Sequence, residues 1–158
     1  MTIVRHFTAT AFVVHNGSVA LHWHPKVGAW LPPGGHIEDN ENPVQAVLRE
    51  VEEETGLAVD LVATTAPLDL GSQEQVEPPF TIVIEDINDP EKGYHQHIDL
   101  IYFCRLKDQP SPLNLGWRWV SRQEIASLEP LDRDGGPPEP PPHDVRTLAL
   151  HAIAFVRA

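Results

Sequence analysis

The sequence predicts an α/β fold with an antiparallel or mixed sheet, and three observations support this. The dipeptide Asn16-Gly17 lies between two strand-like runs and is a strong hairpin signal. The run His97–Arg105 is nearly continuous in apolar residues, as a central strand requires. Helical patterns occur near residues 43–55 and 144–156. Strands and helices that follow one another in this way favour a layered α/β arrangement.

The first two strands are predicted on either side of the Asn-Gly turn. Phe7–His15 is rich in Ala, Phe and Val, and Ser18–His24 has the composition to pair back onto it. The segment Pro32–Gly35 is expected to form a tight turn, because Pro lacks an N–H and Gly accepts positive φ.

A helix is predicted from Pro43 to Thr55. Asn42 is a suitable N-cap, Pro43 suits the first helical position, and Gly56 is placed to end the helix in the left-handed conformation.

The remaining elements follow from apolar runs and turn signals. They are a strand within Leu57–Leu70, a β segment Phe80–Ile84, the strand His97–Arg105, a short strand Trp117–Val120, a helical turn from Ser121 through Leu128, and an amphipathic helix Asp144–Val156. The proline-rich segment Glu129–His143 is expected to be an exposed, partly stiff loop. It serves either as a connector into the last helix or as a lid or partner-binding loop.

Composition limits the class of protein. A chain of 158 residues fits one domain, 1–158, which buries roughly 70% of its unfolded surface. The net charge of −12 argues against binding of duplex nucleic acid. Residues Met1–His6 contain neither a signal peptide nor a membrane span, and Cys104 has no cysteine to pair with, so a cytoplasmic location is expected.

Three glutamates of the predicted helix define the candidate site. Glu50, Glu53 and Glu54 stand at relative positions 0, 3 and 4, so they share one helical face. Like charges at this spacing are unfavourable by about 0.2–0.5 kcal/mol per pair. Concentrated carboxylate oxygens are the ligands that Mg²⁺ or Mn²⁺ prefers, and such an ion would convert the repulsion into binding.

These glutamates lie within a longer pattern. Gly35, Glu41 and the run Arg49–Leu57 fill every specified position of G-x5-E-x7-R-E-U-x-E-E-x-G-U, with U an aliphatic residue. The segment therefore resembles the Nudix box. The resemblance implies an α/β/α sandwich with a mixed sheet and a metal-dependent hydrolase.

The resemblance also implies individual roles. Glu53 and Glu54 bind metal, Glu50 binds metal or acts as general base, and a backbone carbonyl of Gly34 or Gly35 adds a ligand. Arg49 is expected to hold Glu50 and Glu41 in place and not to contact phosphate. Glu52 points away from the cluster and is expected to be solvated.

The implied reaction is hydrolysis of a diphosphate linkage in a nucleoside diphosphate derivative, such as a nucleoside triphosphate or a nucleotide-sugar. The cofactor is Mg²⁺ or Mn²⁺, the substrate is a small molecule, no membrane partner is expected, and the protein is expected to form a homodimer.

Some relatives supply a further acid just before the late tryptophan, but Asn114–Trp119 contains none. The base is therefore Glu50 or another residue, with Glu74, Glu77 and Glu85 as candidates.

Further substrate contacts are predicted near the box. His36 follows the glycine pair and is a candidate contact for phosphate, and Trp30 either stacks on a base or packs in the core. On a strand, His95, His97 and Asp99 would face the same side, as would His22 and His24. These histidines contact substrate or metal, or are hydrogen-bonded structural residues.

Two other functions are compatible with the fold. A nucleotide-sensing Nudix module without catalysis is one, although such modules usually lack some box glutamates and this chain has them all. An isomerase acting on an isoprenoid diphosphate is the other. It would need a catalytic cysteine near the box, and Cys104 in a predicted central strand suits packing better.

Overall fold

The computed structural model describes residues 2–108 and 111–156. Of the N-terminal segment Met1–His6, Met1 therefore lies outside the described residues. Within them the elements are β1 (Arg5–His15), β2 (Ser18–His24), β3 (Ala29–Leu31), β4 (Gly34–His36), α1 (Pro43–Thr55), β5 (Val59–Leu61), β6 (Thr81–Asp89), β7 (Gly93–Leu106), β8 (Trp117–Ser121), α2 (Arg122–Ala126) and α3 (His143–Phe155).

The sheet is mixed, as predicted. Its centre is the parallel pair β1 and β7, in register from Arg5 opposite Gln96 to Val14 opposite Arg105. All other pairings are antiparallel: β2 and β4 with β1, β3 and β8 with β2, and β5 and β6 with β7. The parallel pair is long-range, because the paired residues are 91 positions apart along the chain.

The sheet is covered by helices on both faces. Along β1, Ala9, Ala11 and Val13 pack in one cluster with the buried side of α1. Phe12 and Val14 belong to a second cluster that includes the apolar residues of α2 and α3. Successive strand residues point to opposite faces, so β1 contributes to both cores. The predicted α/β/α sandwich is confirmed.

Helix α1 has the predicted bounds and caps. The Asn42 side chain accepts a hydrogen bond from the backbone N–H of Gln45, whose own side chain accepts from the Asn42 N–H. Gly56 ends the helix at φ 75°, a left-handed conformation that glycine adopts without steric cost. Local sequence signals therefore define both ends of the helix that carries the glutamates.

The prediction of a tight turn at Pro32–Gly35 is wrong for the two glycines. Gly34 and Gly35 belong to β4 and pair with Thr10 and Ala9 of β1. A Cβ on Gly34 would lie 2.6 Å from Oγ1 of Thr10 and 2.7 Å from the carbonyl oxygen of Ala9. Glycine is thus required by the close approach of two backbones, and not by a reversal of the chain.

The proline-rich loop is exposed over much of its length but is attached to the core. Leu131 is 3% exposed and pairs with Glu139 in an isolated bridge. The backbone oxygen of Glu139 accepts a hydrogen bond from the indole N–H of Trp30, at 3.0 Å. The expectation of an exposed loop is therefore wrong at Leu131, because this apolar side chain fills space beside α3.

In the part of the chain that the structure describes, no helix combines the length and the apolar character needed to cross a membrane.

Candidate functional site

The three glutamates of α1 lie beside β4. The side chain of Glu50 is 16% exposed and that of Glu53 is 60% exposed. A Cβ placed on Gly35 would overlap the carboxylate of Glu50. The glycine therefore leaves the room that this carboxylate occupies next to the strand. Glu52 is exposed, as expected for a residue that points away from the cluster.

Arg49 connects the acidic residues to one another. Its Nε and Nη2 donate to the two carboxylate oxygens of Glu41, at 3.0 and 2.6 Å. Its Nη1 donates to Glu50 at 2.9 Å and to Glu53 at 3.2 Å. The hydrogen bond from Arg49 holds the pKa of Glu41 below its usual value. These contacts agree with the predicted clamp, because the guanidinium donates hydrogen bonds to the carboxylates of three glutamates.

Glu54 is a partly buried acid of the cluster. Its Oε1 accepts a hydrogen bond from the backbone N–H of Gly34, at 2.9 Å. Burial, followed by the negative charges of Glu50 and Glu53, raises the pKa of Glu54 to about 7, although the Gly34 amide acts in the opposite direction. Without a bound cation, burial and the repulsion between these carboxylates therefore make Glu54 easier to protonate.

This donor set fits a divalent cation. Glu50, Glu53 and Glu54 offer only oxygen ligands, and Gly34 lies against Glu54. Hard oxygen donors of this kind suit Mg²⁺ or Mn²⁺. A bound cation would lower the pKa of Glu54 and remove the repulsion that the cluster otherwise contains.

A cavity of about 540 Å³ adjoins the glutamates. One part of its lining lies next to the glutamate cluster and consists of Glu54, Gly34, Gly35 and His36. The rest of the lining comes from β1, β2, β3, β6, β7, α3 and adjoining loops: Thr8, Thr10, Phe12, His22, His24, Lys26, Val27, Ala29, Leu31, Pro32, Glu85, Asp86, Ile87, Asp89, Lys92, His95, His97, Asp99, Ile101, Pro142, Asp144, Val145 and Leu148.

Two carboxyl groups meet inside the cavity. Asp99 is 3% exposed and accepts hydrogen bonds from the hydroxyl groups of Thr8 and Thr10, at 2.8–2.9 Å. Burial, followed by the charge of Asp99, raises the pKa of Glu85 to about 8. Burial also raises the pKa of Asp99. The pair therefore retains a proton near neutral pH, with Glu85 as its preferred carrier.

Of the three alternative bases, only Glu85 lines the cavity. Glu77 accepts hydrogen bonds from the backbone N–H groups of Thr64 and Thr65, so it anchors a loop. Glu74 is exposed in the segment before β6. The positions of Glu77 and Glu74 do not support a role as base.

The two predicted substrate contacts have different surroundings. His36 lines the cavity, and burial, more than the nearby His6, lowers its pKa. Trp30 is 3% exposed, lies edge-on to Trp23 at 6.0 Å between centroids and donates its N–H to the Glu139 carbonyl. The assignment of Trp30 to the substrate is therefore corrected, because its ring is enclosed by protein.

Two other cavity histidines also have lowered pKa values. Burial lowers the pKa of His22 to about 4, with a smaller contribution from the charge of His24. The His22 ring stacks on Trp117 with 4.1 Å between the ring centroids. Burial lowers the pKa of His97 to about 4, with smaller contributions from neighbouring imidazoles.

Sequence reasoning missed His6, Thr8 and Thr10, because the pairing of β1 with β7 that brings them here is long-range.

Cys104 is fully buried, and burial raises the pKa of its thiol to about 12. A thiol of this kind is a poor nucleophile and a poor acid near neutral pH. Its surroundings agree with a packing role.

Comparison with known proteins gives three kinds of match. A family model described as NUDIX domain matches residues 4–140. The chain is 30% identical over 106 residues to a probable DHNTP pyrophosphohydrolase from Lactococcus lactis subsp. cremoris (strain MG1363). This match covers 67% of this chain and 57% of that protein. It is 31% identical over 107 residues to an RNA pyrophosphohydrolase from Novosphingobium aromaticivorans, covering 63% of this chain and 65% of that protein.

Among solved structures, a NUDIX-family hydrolase from Clostridium perfringens superimposes with a TM-score of 0.74 at 29% identity. This match covers 95% of this chain and 97% of that one. By contrast, the chain spans less than two thirds of the length of the two curated relatives.

Proposed function

This chain belongs to the Nudix family, and from that premise we propose that it is a metal-dependent pyrophosphohydrolase. Its reaction is the hydrolysis of the diphosphate linkage in a nucleoside diphosphate derivative. One observation carries the proposal: Glu50, Glu53 and Glu54 share one face of α1, and Glu54 lines a cavity that is large enough for a nucleotide. Cavities of roughly 300–1,000 Å³ typically hold small-molecule ligands.

Each residue of the cluster has a separate part in this reaction. A divalent cation held by Glu50, Glu53, Glu54 and Gly34 would neutralise phosphate charge and acidify a bound water. Glu50 accepts the proton of the attacking water, and Glu85, which lines the cavity, is the alternative base. Arg49 keeps Glu50 and Glu53 in position through its hydrogen bonds.

The substrate is a small nucleotide or a related diphosphate. One relative is named as a probable DHNTP pyrophosphohydrolase, and the other is named as an RNA pyrophosphohydrolase. A nucleoside triphosphate, or a compound that presents the same triphosphate group to the glutamates, agrees with these names and with the cavity. The net charge of −12 supports a small substrate that binds through a cation, and not a nucleic-acid duplex.

The proposal includes a cytoplasmic homodimer. The unpaired Cys104 supports a reducing compartment. Exposed apolar side chains support a contact between two copies: Phe7, Ile82 and Ile84 are 59%, 56% and 54% exposed on β1 and β6, the two strands that flank β7. Analytical ultracentrifugation of the protein and of Ile84→Glu tests this part, with a monomeric wild type as the outcome against it.

The activity is tested with a panel of nucleoside triphosphates, nucleotide-sugars, dinucleoside polyphosphates and DHNTP, each with Mg²⁺ or Mn²⁺. Products are identified by chromatography. Turnover should disappear with excess EDTA, and Glu53→Gln should lower kcat at least roughly a hundredfold, as expected for loss of a key electrostatic group.

Glu52→Gln is the matched control, because it removes a neighbouring exposed charge from the same helix. Its kcat should stay at the wild-type value, and neither variant should lose thermal stability. Full turnover in EDTA, or in Glu53→Gln, would contradict the metal mechanism. Tight nucleotide binding without any product would instead support a sensing module.

A further inference from the structure

Three imidazoles meet where β1 and β7 begin. His6 is directly opposite His97 in the parallel ladder, and His95 lies two residues before His97, on the same face of β7. One ring nitrogen of each histidine lies within 4.8 Å of one nitrogen of the other two. These three residues, called here the histidine cluster, come from distant parts of the chain and converge only because the two strands are parallel.

The ring nitrogens of the histidine cluster are arranged as those of metal ligands are. Nδ1 of His95 lies 3.0 Å from the carbonyl oxygen of Gly93, which only accepts, so Nδ1 donates this hydrogen bond and Nε2 is the nitrogen available to a metal. A carbonyl partner of this kind usually orients a metal-binding histidine and selects its tautomer.

The other two histidines carry buried nitrogens that lack a partner. Among the described residues, Nδ1 of His6 and Nε2 of His97 have no hydrogen-bond partner, and both atoms are buried. Buried polar atoms in folded proteins are nearly always paired, so an unpaired nitrogen on each of two neighbouring imidazoles indicates a site for a ligand.

The histidine cluster differs chemically from the glutamates of α1. It presents imidazole nitrogens, whereas the glutamates present carboxylate oxygens. Imidazole nitrogen suits Zn²⁺, Co²⁺ and Ni²⁺, and Mg²⁺ strongly prefers oxygen. Two sites with different metal preferences are therefore possible in one molecule.

We propose that His6, His95 and His97 bind a divalent transition ion such as Zn²⁺, at a site separate from the Mg²⁺ or Mn²⁺ ligands of α1. Two nitrogens that each lie about 2.0–2.1 Å from one ion are at most about 4.2 Å apart, so the imidazoles move together slightly on binding. His36 is the candidate fourth ligand, with its ring centroid 5.1 Å from that of His97 and 5.3 Å from that of His6. The ion links β1 to β7, and through His36 to β4.

The test is calorimetric titration of the EDTA-treated, dialysed full chain with Zn²⁺ in the presence of excess Mg²⁺, which occupies the glutamates. The wild type should bind one Zn²⁺ that Mg²⁺ does not displace, and Zn²⁺ should raise the melting temperature, because it binds the folded state. Co²⁺ should give the visible absorption of a nitrogen-coordinated ion.

His6→Ala and His95→Ala should each weaken Zn²⁺ binding at least about tenfold, since even changes to the surroundings of metal ligands have effects of 10–100-fold. His24→Ala is the matched control, a histidine of the same cavity outside the cluster, and should bind as the wild type does. Glu54→Gln should also keep the site.

Unchanged Zn²⁺ affinity in His6→Ala and His95→Ala would overturn the proposal. So would displacement by Mg²⁺, loss of binding in Glu54→Gln, or an equal loss in His24→Ala. Because His95 is 5% exposed and its replacement can impair folding, circular dichroism is recorded for each variant. The less buried His6 then decides the outcome by itself.

Discussion

At the scale of single residues, Arg49 is the side chain on which the glutamate cluster depends. It donates to Glu41, Glu50 and Glu53 and also to the backbone oxygen of His36, at 3.2 Å. Its guanidinium group has a planar array of donors that a lysine cannot reproduce. Arg49 therefore sets the positions of carboxylates that would otherwise repel one another.

Replacement of Arg49 by Ala should weaken the apparent affinity for Mg²⁺ by about 10–100-fold, the usual scale for residues that orient metal ligands. High Mg²⁺ should partly restore the rate, and the KM for substrate should change little. Arg49→Lys should remain defective, because it keeps the charge and loses the two-pronged contact with Glu41. The measurement is initial rate against Mg²⁺ at saturating substrate. A large rise in KM that metal does not relieve would show that Arg49 binds phosphate.

At the scale of elements, strand β4 and helix α1 form the site together. Gly34 donates to Glu54 from β4, and Gly35 makes room for Glu50. The two adjacent glycines face different neighbours, since a Cβ on Gly34 meets the backbone of β1 and a Cβ on Gly35 meets a side chain. Stability and activity therefore depend on different glycines.

This difference predicts that two neighbouring substitutions affect stability and activity to different extents. Gly34→Ala should destabilise the fold by about 1–3 kcal/mol, the usual cost of forcing extra atoms into a packed interior. Gly35→Ala should cost less stability, because the Glu50 side chain can rotate away, but it should lower kcat and Mg²⁺ affinity. Urea unfolding and metal-dependent rates, measured on both variants, test the pair. Equal losses of stability would contradict the distinction.

At the scale of the whole molecule, the sheet buries ionisable groups in its cavity. Glu85 on β6 and Asp99 on β7 lie close together, and Asp144 of α3 adds a further negative charge near Glu85. The pKa of Glu85 is raised from 4.5 to about 8 by burial and then by Asp99. A carboxyl group with a raised pKa stabilises the fold fully below its unfolded pKa, and this contribution is lost as pH rises through the folded pKa.

The wild type should therefore lose stability between about pH 4.5 and pH 8 through Glu85. Glu85→Gln imitates the protonated form, so its melting temperature should exceed that of the wild type at pH 9 and approach it at pH 5. Each kcal/mol relieved should raise the melting temperature by about 2–4 °C in a chain of this size. Glu74→Gln, at an exposed position, should show no such pH dependence. A Gln variant that is less stable at pH 9 would contradict the assignment.

The sequence alone determined the helix that carries the site. The spacing of Glu50, Glu53 and Glu54, the Asn42 cap and the Gly56 end all act within a few residues, so local geometry dictates them. The hairpin at Asn16-Gly17 was predicted for the same reason, since turn chemistry is local. The two covered faces of the sheet were expected from the resemblance to the Nudix family.

Only the tertiary structure decided which distant residues share the cavity. Thr8 donates to Asp99 across 91 residues, and His6 meets His97 across the same distance in sequence, because β1 and β7 pair in parallel. The strand at Gly34–His36 and the burial of Trp30 under Glu139 have the same origin. Register between remote strands is set by the packing of the whole core, and no local spacing in the sequence encodes it.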